Sequence, residues 1–149
     1  MKAIRPFLFS KKSEDIVIAC LRVSIGVIFV WFGFLKVFGH NPVSDLVEYS
    51  MMPFLGAGNG LLFLGILEVM IGILLLVNKY LVFTYSIVLL HLAGTFSTFI
   101  FGWHVVFEPY FPVLSLGGEF VVKNVTLIVS ALVVLIHEER KLRSGNNHT

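Results

Sequence analysis

Four long apolar stretches run along the chain, and shorter polar or turn-forming stretches separate them. The apolar stretches cover residues 16–38, 61–77, 80–101 and 117–137. A helix of about 20 apolar residues crosses a hydrocarbon core of about 30 Å, and each stretch comes close to that length. Lipid offers no hydrogen-bond partners to the backbone, so such stretches form helices in a membrane. The pattern predicts an all-α integral membrane protein, a four-transmembrane-helix bundle that forms a single domain over residues 1–149.

The first long connection predicts a short helix at the membrane surface. Asn41 is a favourable N-cap residue, and Pro42 suits the first position of a helix. Apolar residues then recur over residues 42–52 in a way that is typical of an amphipathic helix lying in the interface. The second long connection, residues 102–115, is rich in aromatic residues and proline, which is typical of chain at a membrane surface.

Lysine and arginine are distributed unequally between the two ends of the predicted bundle. One end carries all the basic residues that lie outside the apolar stretches: Lys2, Arg5, Lys11, Lys12, Lys79, Arg140, Lys141 and Arg143. The loops at the other end, residues 40–59 and 102–115, carry none and contain Asp45, Glu48 and Glu108 instead. Because basic loops tend to stay on the cytoplasmic side, this distribution predicts that both termini are cytoplasmic.

Glycine spacing predicts which two helices pack most closely. Gly26 and Gly33 lie seven residues apart in the first stretch, and Gly65 and Gly72 lie seven apart in the second. Seven residues are about two helical turns, so each pair lies on one face of its helix. Small residues on one face allow two helix backbones to approach closely in a membrane. We therefore expect the first and second helices to pack through these faces.

Composition agrees with a membrane protein and excludes several other classes. The chain is 57% hydrophobic and 13% charged, whereas a soluble domain has about 25% charged residues. The net charge is only +2, and the basic residues are not interleaved with aromatic ones, which excludes a nucleic-acid partner. The lipid bilayer is the partner that the composition predicts. Cys20 is the only cysteine, which excludes an internal disulfide, a CxxC redox pair and a cysteine metal site.

Ionisable side chains inside the apolar stretches are the candidates for function, because such groups are costly in a membrane. Counting about 1.5 Å per residue from the middle of each stretch places Glu68 and His91 near the midplane. We predict that Glu68, His91 and Lys123 are the catalytic or proton-carrying residues. Four further residues are predicted to bind the substrate: Arg22, Lys36, Glu119 and Asn124.

The same count predicts which charges pair. Arg22 lies about 8 Å to one side of the midplane and Lys123 about 6 Å to the other, so each is a candidate partner of Glu68. That pair would be either a salt bridge that fixes helix register or a group that carries protons or binds a ligand. Lys36 and Glu119 are expected near the headgroups, where Lys36 would extend its ammonium to the surface or pair with Glu119.

His91 has three roles open to it. The imidazole can shuttle a proton, donate a hydrogen bond to a quinone-like carbonyl, or bond as a neutral group to Thr95, Ser97 or Thr98. No second ligand lies three or four residues further along the helix, so no metal site is predicted.

Several stretches, taken in order, resemble the DoxX-like family of small membrane proteins. They are Leu21-Arg22-Val23 and Phe29 to Lys36 in the first helix, Leu67-Glu68-Val69 with Gly72 in the second, His91-Leu92-Ala93-Gly94-Thr95-Phe96 in the third, and Phe111-Pro112 followed by Gly118 to Asn124 before and in the fourth. The resemblance covers roughly residues 16–136. It implies a multi-pass, four-helix protein of the bacterial cytoplasmic membrane.

The resemblance also implies a function. The family takes its name from a subunit linked to thiosulfate:quinone oxidation, and other members are associated with oxidative or electrophile stress. The leading hypothesis is therefore a quinone-linked redox or oxidative-stress role, as a membrane oxidoreductase subunit in which Glu68, His91 and Lys123 line a pocket for a quinone or another small polar ligand. A homo-oligomer or a redox partner in the membrane or periplasm would complete such a system.

Two alternatives stay open at this point. In the first, the protein is a small proton-coupled transporter in which Glu68 and His91 form the relay. In the second, it is a non-catalytic membrane subunit or assembly partner, and its buried polar residues serve only to fix the bundle.

Overall fold

The computed structural model describes residues 10–40, 46–47 and 57–146, and nearly all of these residues are helical. The helices are α1 (Lys11–Val37), α2 (Ala57–Val77), α3 (Leu81–Thr95), α4 (Thr98–Phe101), α5 (Trp103–Val106) and α6 (Leu116–Asn146). No strand occurs in these residues, so the all-α prediction is confirmed there. The predicted surface helix over residues 42–52 lies outside the described residues, except for Leu46 and Val47, which are helical and buried.

Four crossings are long and apolar enough to span a membrane, as the sequence predicts. They are α1, α2, α3 continued by α4, and α6. Their outer surfaces carry many exposed large apolar side chains, such as Trp31, Leu90 and Ile100. A soluble monomer rarely exposes so large an apolar surface, whereas lipid covers it at no cost. The chain is therefore a multi-pass membrane protein.

Local signals explain where the helices begin and end. The Ser10 hydroxyl accepts a hydrogen bond from the Ser13 backbone N–H, so α1 begins several residues before its apolar stretch. Gly39 has a positive φ of 71° and ends α1, and Asn78 has a positive φ of 56° after α2. A turn at residues 96–97 divides the third crossing into α3 and α4, which the sequence did not predict.

The crossings pack as two antiparallel pairs. α1 packs along α2, α3 packs against α6, and further contacts join α1 to α6 and α2 to α3. We call the end where α1 ends and α6 begins the loop end, and the opposite end, where α1 begins and α6 ends, the terminus end. Between them lies an apolar core to which all four crossings contribute. It includes Ile25, Ile71, Leu75, Val88, Ala131 and Val134.

The glycine faces bring α1 and α2 into backbone contact, which confirms the packing prediction. A Cβ atom added at Gly33 would lie 2.8 Å from the carbonyl oxygen of Gly65, and one added at Gly72 would lie 2.7 Å from that of Gly26. A Cβ at Gly65 would lie 2.9 Å from the Cβ of Lys36. The lysine side chain therefore starts directly against the α2 backbone, three residues before Glu68.

At the loop end, an aromatic cluster fixes the start of α6. The rings of Trp103, Phe107 and Phe111 pack on one another, with centroids 4.4 to 5.8 Å apart. The Ser115 hydroxyl donates to the carbonyl of Val105 and accepts from the N–H of Gly118. These contacts hold the start of α6 in place. They therefore fix which face of its first turns points into the bundle.

We expect Gly72→Ala to destabilise the bundle by about 1–3 kcal/mol, because the new methyl group would meet backbone atoms of α1. Thermal unfolding in detergent measures the change. Gly94→Ala is the matched control, since a Cβ there has no neighbour within 4 Å. The control should unfold at or slightly above the wild-type temperature, because alanine favours a helix. Equal shifts in both variants would contradict the requirement for glycine at the α1–α2 contact.

Candidate functional site

A buried cluster of three ionisable side chains lies where α1, α2 and α3 meet. The Nζ atom of Lys36 lies 2.7 Å from Oε2 of Glu68, and Nε2 of His91 lies 3.2 Å from Oε1 of Glu68. Their side chains are only 6%, 8% and 5% exposed for Lys36, Glu68 and His91. Each carboxylate oxygen thus faces one basic group, and Glu68 is the centre of the cluster.

The predicted partners of Glu68 were wrong. Neither Arg22 nor Lys123 contacts it, and Lys36, which was expected to reach the surface, is buried. The reason is the direction of helical side chains, which lean toward the N-terminus of their helix. Lys36 is near the end of α1, so its side chain leans back into the bundle and meets Glu68. A depth count made at Cα positions does not include this lean.

The same rule corrects the prediction for α6. Lys123 is near the start of that helix, so its side chain leans toward the loop end, where its Nζ lies 2.7 Å from Oε2 of Glu119. Both side chains are well exposed, at 70% for Lys123 and 50% for Glu119. The expected pairing of Glu119 with Lys36 is therefore wrong, and the two residues form an ordinary i, i+4 pair on one helix.

Aromatic rings of α1 enclose the cluster. The ammonium of Lys36 lies 5.8 Å from the ring centroid of Phe32, within the range of a cation–π contact. The ring of Phe29 meets that of His91 edge to face, with centroids 5.4 Å apart. Sequence reasoning gave neither phenylalanine a role. They lie four and seven residues before Lys36, and this helical spacing is the signal that places them on its face.

A cavity of about 460 Å³ lies beside the cluster. Its lining is mostly apolar and comes from all four crossings, with seven polar exceptions. These are Lys36, Glu68, His91, Thr95, Lys123, Asn124 and Thr126. Five of the seven predicted site residues therefore line one cavity, while Arg22 and Glu119 do not. An apolar cavity with a few convergent polar groups is the usual form of a small-molecule site.

On the α3–α6 side of the cavity, a hydrogen bond joins Asn124 to Thr95. The Asn124 amide donates to the Thr95 hydroxyl at 2.9 Å, and that hydroxyl donates to the carbonyl of Leu92 at 2.6 Å. Thr95, one of the three hydroxyl partners open to His91, thus bonds to Asn124 and Leu92 instead, and His91 contacts Glu68. Thr95 follows His91 by four residues, so helical spacing could have placed it in the site.

Arg22 lies away from this cavity, toward the terminus end. It is 14 residues before Lys36 on α1, which is about 21 Å along the helix axis. Its guanidinium donates to the carbonyls of Leu75 and Leu76 at the end of α2. The end of a helix carries negative partial charge, so Arg22 stabilises α2 there. This position gives it no contact with a ligand held at Glu68.

A second, polar cavity of about 440 Å³ lies at the terminus end beside Arg22. Asp15 of α1 accepts from His137 of α6, with 2.8 Å between Oδ1 and Nε2, and lies 3.3 Å from the Nζ of Lys141. Sequence reasoning gave His137 no role. Asp15 and His137 border the apolar stretches of two antiparallel helices at the same end, which is the signal that predicts their contact.

A metal site has no support in the described ranges, where no group of three histidine, cysteine, aspartate or glutamate side chains lies close enough to hold an ion. Groups that can bind an organic ligand are the ammonium of Lys36, the imidazole of His91 and the amide of Asn124. No protein-family model, curated protein or solved structure matches the chain.

We expect Lys36→Met to cost about 3–5 kcal/mol of stability, because it removes the closest partner of a buried carboxylate. The double variant Lys36→Met/Glu68→Gln should recover most of that loss, since it leaves no unpaired charge. Thermal unfolding of the two single variants and the double variant measures the coupling.

The control for this cycle is the exposed pair Glu119–Lys123, which has the same 2.7 Å separation. Its variants Lys123→Met and Glu119→Gln should change stability little, because water and salt screen an exposed pair. If the losses at Lys36 and Glu68 simply add, the two side chains are not coupled, and the central role of the pair is refuted.

Proposed function

We propose that this chain is a DoxX-like protein of the bacterial cytoplasmic membrane that binds a quinone headgroup in its bundle and has a quinone-linked redox or oxidative-stress role. The observation that supports the proposal is the Lys36–Glu68–His91 cluster at the wall of an otherwise apolar cavity. Apolar walls suit the ring of a quinone, and the polar groups suit its carbonyls.

The available donors match the chemistry of a quinone. Its two carbonyl oxygens only accept hydrogen bonds. Lys36 has three N–H donors, of which Glu68 takes one, and Asn124 has a second amide hydrogen beyond the one given to Thr95. A quinone that accepts from both would span the cavity between α1 and α6.

The cluster can also handle protons. Reduction of a quinone to the hydroquinone takes two electrons and two protons. Glu68 lies within hydrogen-bond reach of His91, and the two can exchange a proton without leaving the bundle. The electrons would come from a redox partner in the membrane or periplasm, as expected for a subunit of a larger oxidoreductase. The roles of Glu68 and His91 in this proposal are those of proton carriers.

A proton-coupled transporter is the second candidate, and one observation favours it. Two cavities lie toward opposite ends of the bundle, separated by a fully packed layer that includes Ile25, Ile71 and Val88. Alternating access needs such a barrier between the two sides of the bundle. Uptake of a solute driven by a pH gradient in proteoliposomes would favour the transporter, and quinone binding without any flux would favour the redox role.

We expect purified protein to bind ubiquinone, and Lys36→Met/Glu68→Gln to bind it at least tenfold more weakly, because a donor from a charged group is lost. A factor of ten in affinity corresponds to about 1.4 kcal/mol, which is at the low end of the free energy contributed by a hydrogen bond from a charged group. Titration in lipid nanodiscs measures the affinities. Lys79→Met, an exposed lysine remote from the cavity, is the control and should bind like wild type. Equal affinity in all three proteins would refute the proposed site.

Both termini are proposed to be cytoplasmic, since the described lysines and arginines outside the apolar stretches, such as Lys79 and Arg140, lie at the terminus end, while residues 40–59 and 102–115 contain neither residue type. In a Cys20→Ser background, we expect Tyr110→Cys at the loop end to react with a membrane-impermeant maleimide in intact cells. Ser144→Cys at the terminus end should react only after the cells are opened. The reverse pattern would place the termini outside.

A further inference from the structure

The cavity beside the cluster has an opening on the side of the bundle. Three of its lining residues are exposed: Ile28 on α1 at 37%, and Lys123 and Thr126 on α6. We call the gap between these three residues the window. It lies between α1 and α6, which face each other across the cavity.

The window lies at the level of the hydrocarbon core. Ile28 and Thr126 are each one residue, or about 1.5 Å, from the middle of their predicted spans, residues 16–38 and 117–137. An opening at this depth faces lipid chains rather than water. A ligand that uses it must already be dissolved in the bilayer.

Other described residues bound the cavity toward the two membrane surfaces. One turn toward the loop end, the rings of Phe32 and Phe120 meet edge to face, with centroids 5.7 Å apart, and join α1 to α6. Leu46 and Val47 also line the cavity and are buried. On the terminus side, Ile25 belongs to the packed core.

The ammonium of Lys123 does not block the window. It is drawn to Glu119, toward the loop end, so that the stem of the side chain, rather than its charge, borders the opening. The polar groups of the cluster lie deeper, at the wall formed by α1, α2 and α3. The buried ionisable groups of the cavity thus lie at its inner wall, whereas Ile28, Thr126 and the stem of Lys123 border it toward lipid.

We propose that the ligand enters sideways from the bilayer through this window, and that its long apolar chain stays in the window while its head lies at the cluster. The inference rests on the proposed function and adds the ligand's chemical class: a headgroup that bears a long isoprenoid or acyl chain. Such a chain concentrates the ligand in the membrane, and the window lets the chain remain in lipid after the head has bound.

The test compares two quinones with the same dimethoxy-methyl ring, one with a long isoprenoid chain and one without. In lipid nanodiscs, Thr126→Trp should weaken binding of the chain-bearing quinone at least tenfold, because the indole fills the gap that the chain needs. The quinone without a chain fits inside the cavity, so its affinity at equilibrium should stay within twofold of wild type, even where the narrowed window slows its entry.

Val129→Trp is the matched control, because Val129 is exposed one turn further along α6 and does not line the cavity. It should leave both affinities unchanged. Ile28→Trp narrows the window from α1 and should reproduce the effect of Thr126→Trp, with Val27→Trp, exposed but outside the cavity, as its control. Two independent window variants separate a blocked opening from a folding defect at one position.

Each outcome decides the inference. Selective loss of the chain-bearing quinone in both window variants supports it. Equal loss of both quinones, or equal effects of window and control variants, overturns the window but leaves quinone binding by the wild type intact. If wild-type protein binds neither quinone, the proposed function fails and the window inference fails with it.

Discussion

The buried ion pair between Lys36 and Glu68 is the interaction on which the arrangement of the bundle depends. Two charges that leave water are tolerated when they touch and when their other polar atoms find partners. Lys36 reaches Glu68 because glycines let the backbones of α1 and α2 meet, and His91 of α3 takes the second carboxylate oxygen. A single carboxylate thereby sets the register of three helices, since sliding any of them by one turn would separate buried charges.

The same pair accounts for the cavity beside it. Apolar side chains close a core by interdigitating, as they do around Ile71 and Val88 in the half of the bundle toward the terminus end. At the level of Glu68, the facing part of α6 instead carries Asn124, whose amide is turned to Thr95 of α3. Polar groups held by their own partners cannot move to fill the remaining space. The bundle is therefore closely packed at the level of Ile71 and Val88, and it contains a cavity at the level of Glu68.

Much of the fold could be predicted from the sequence, because a bilayer restricts what an apolar stretch can do. The four crossings and the glycine contact between α1 and α2 follow from length and spacing alone. The pairing of charges could not be predicted, because depth was counted along the backbone while Lys36 and Lys123 lean in opposite directions on antiparallel helices. Their Cα positions differ from the positions of their ammonium groups. The contact of His137 with Asp15 was not predicted because Asp15 lies just before the first apolar stretch.

A carboxylate with two basic neighbours also affects how the centre of the bundle responds to membrane voltage. The Lys36–Glu68 pair has no net charge, so the electric field exerts no net force on it, whereas a lone charge that crosses the membrane gains or loses about 2.3 kcal/mol per 100 mV. A proton added to His91 would place one uncompensated positive charge near the middle of the third crossing. The ionisation of one imidazole thus decides whether this part of the protein is coupled to the membrane potential.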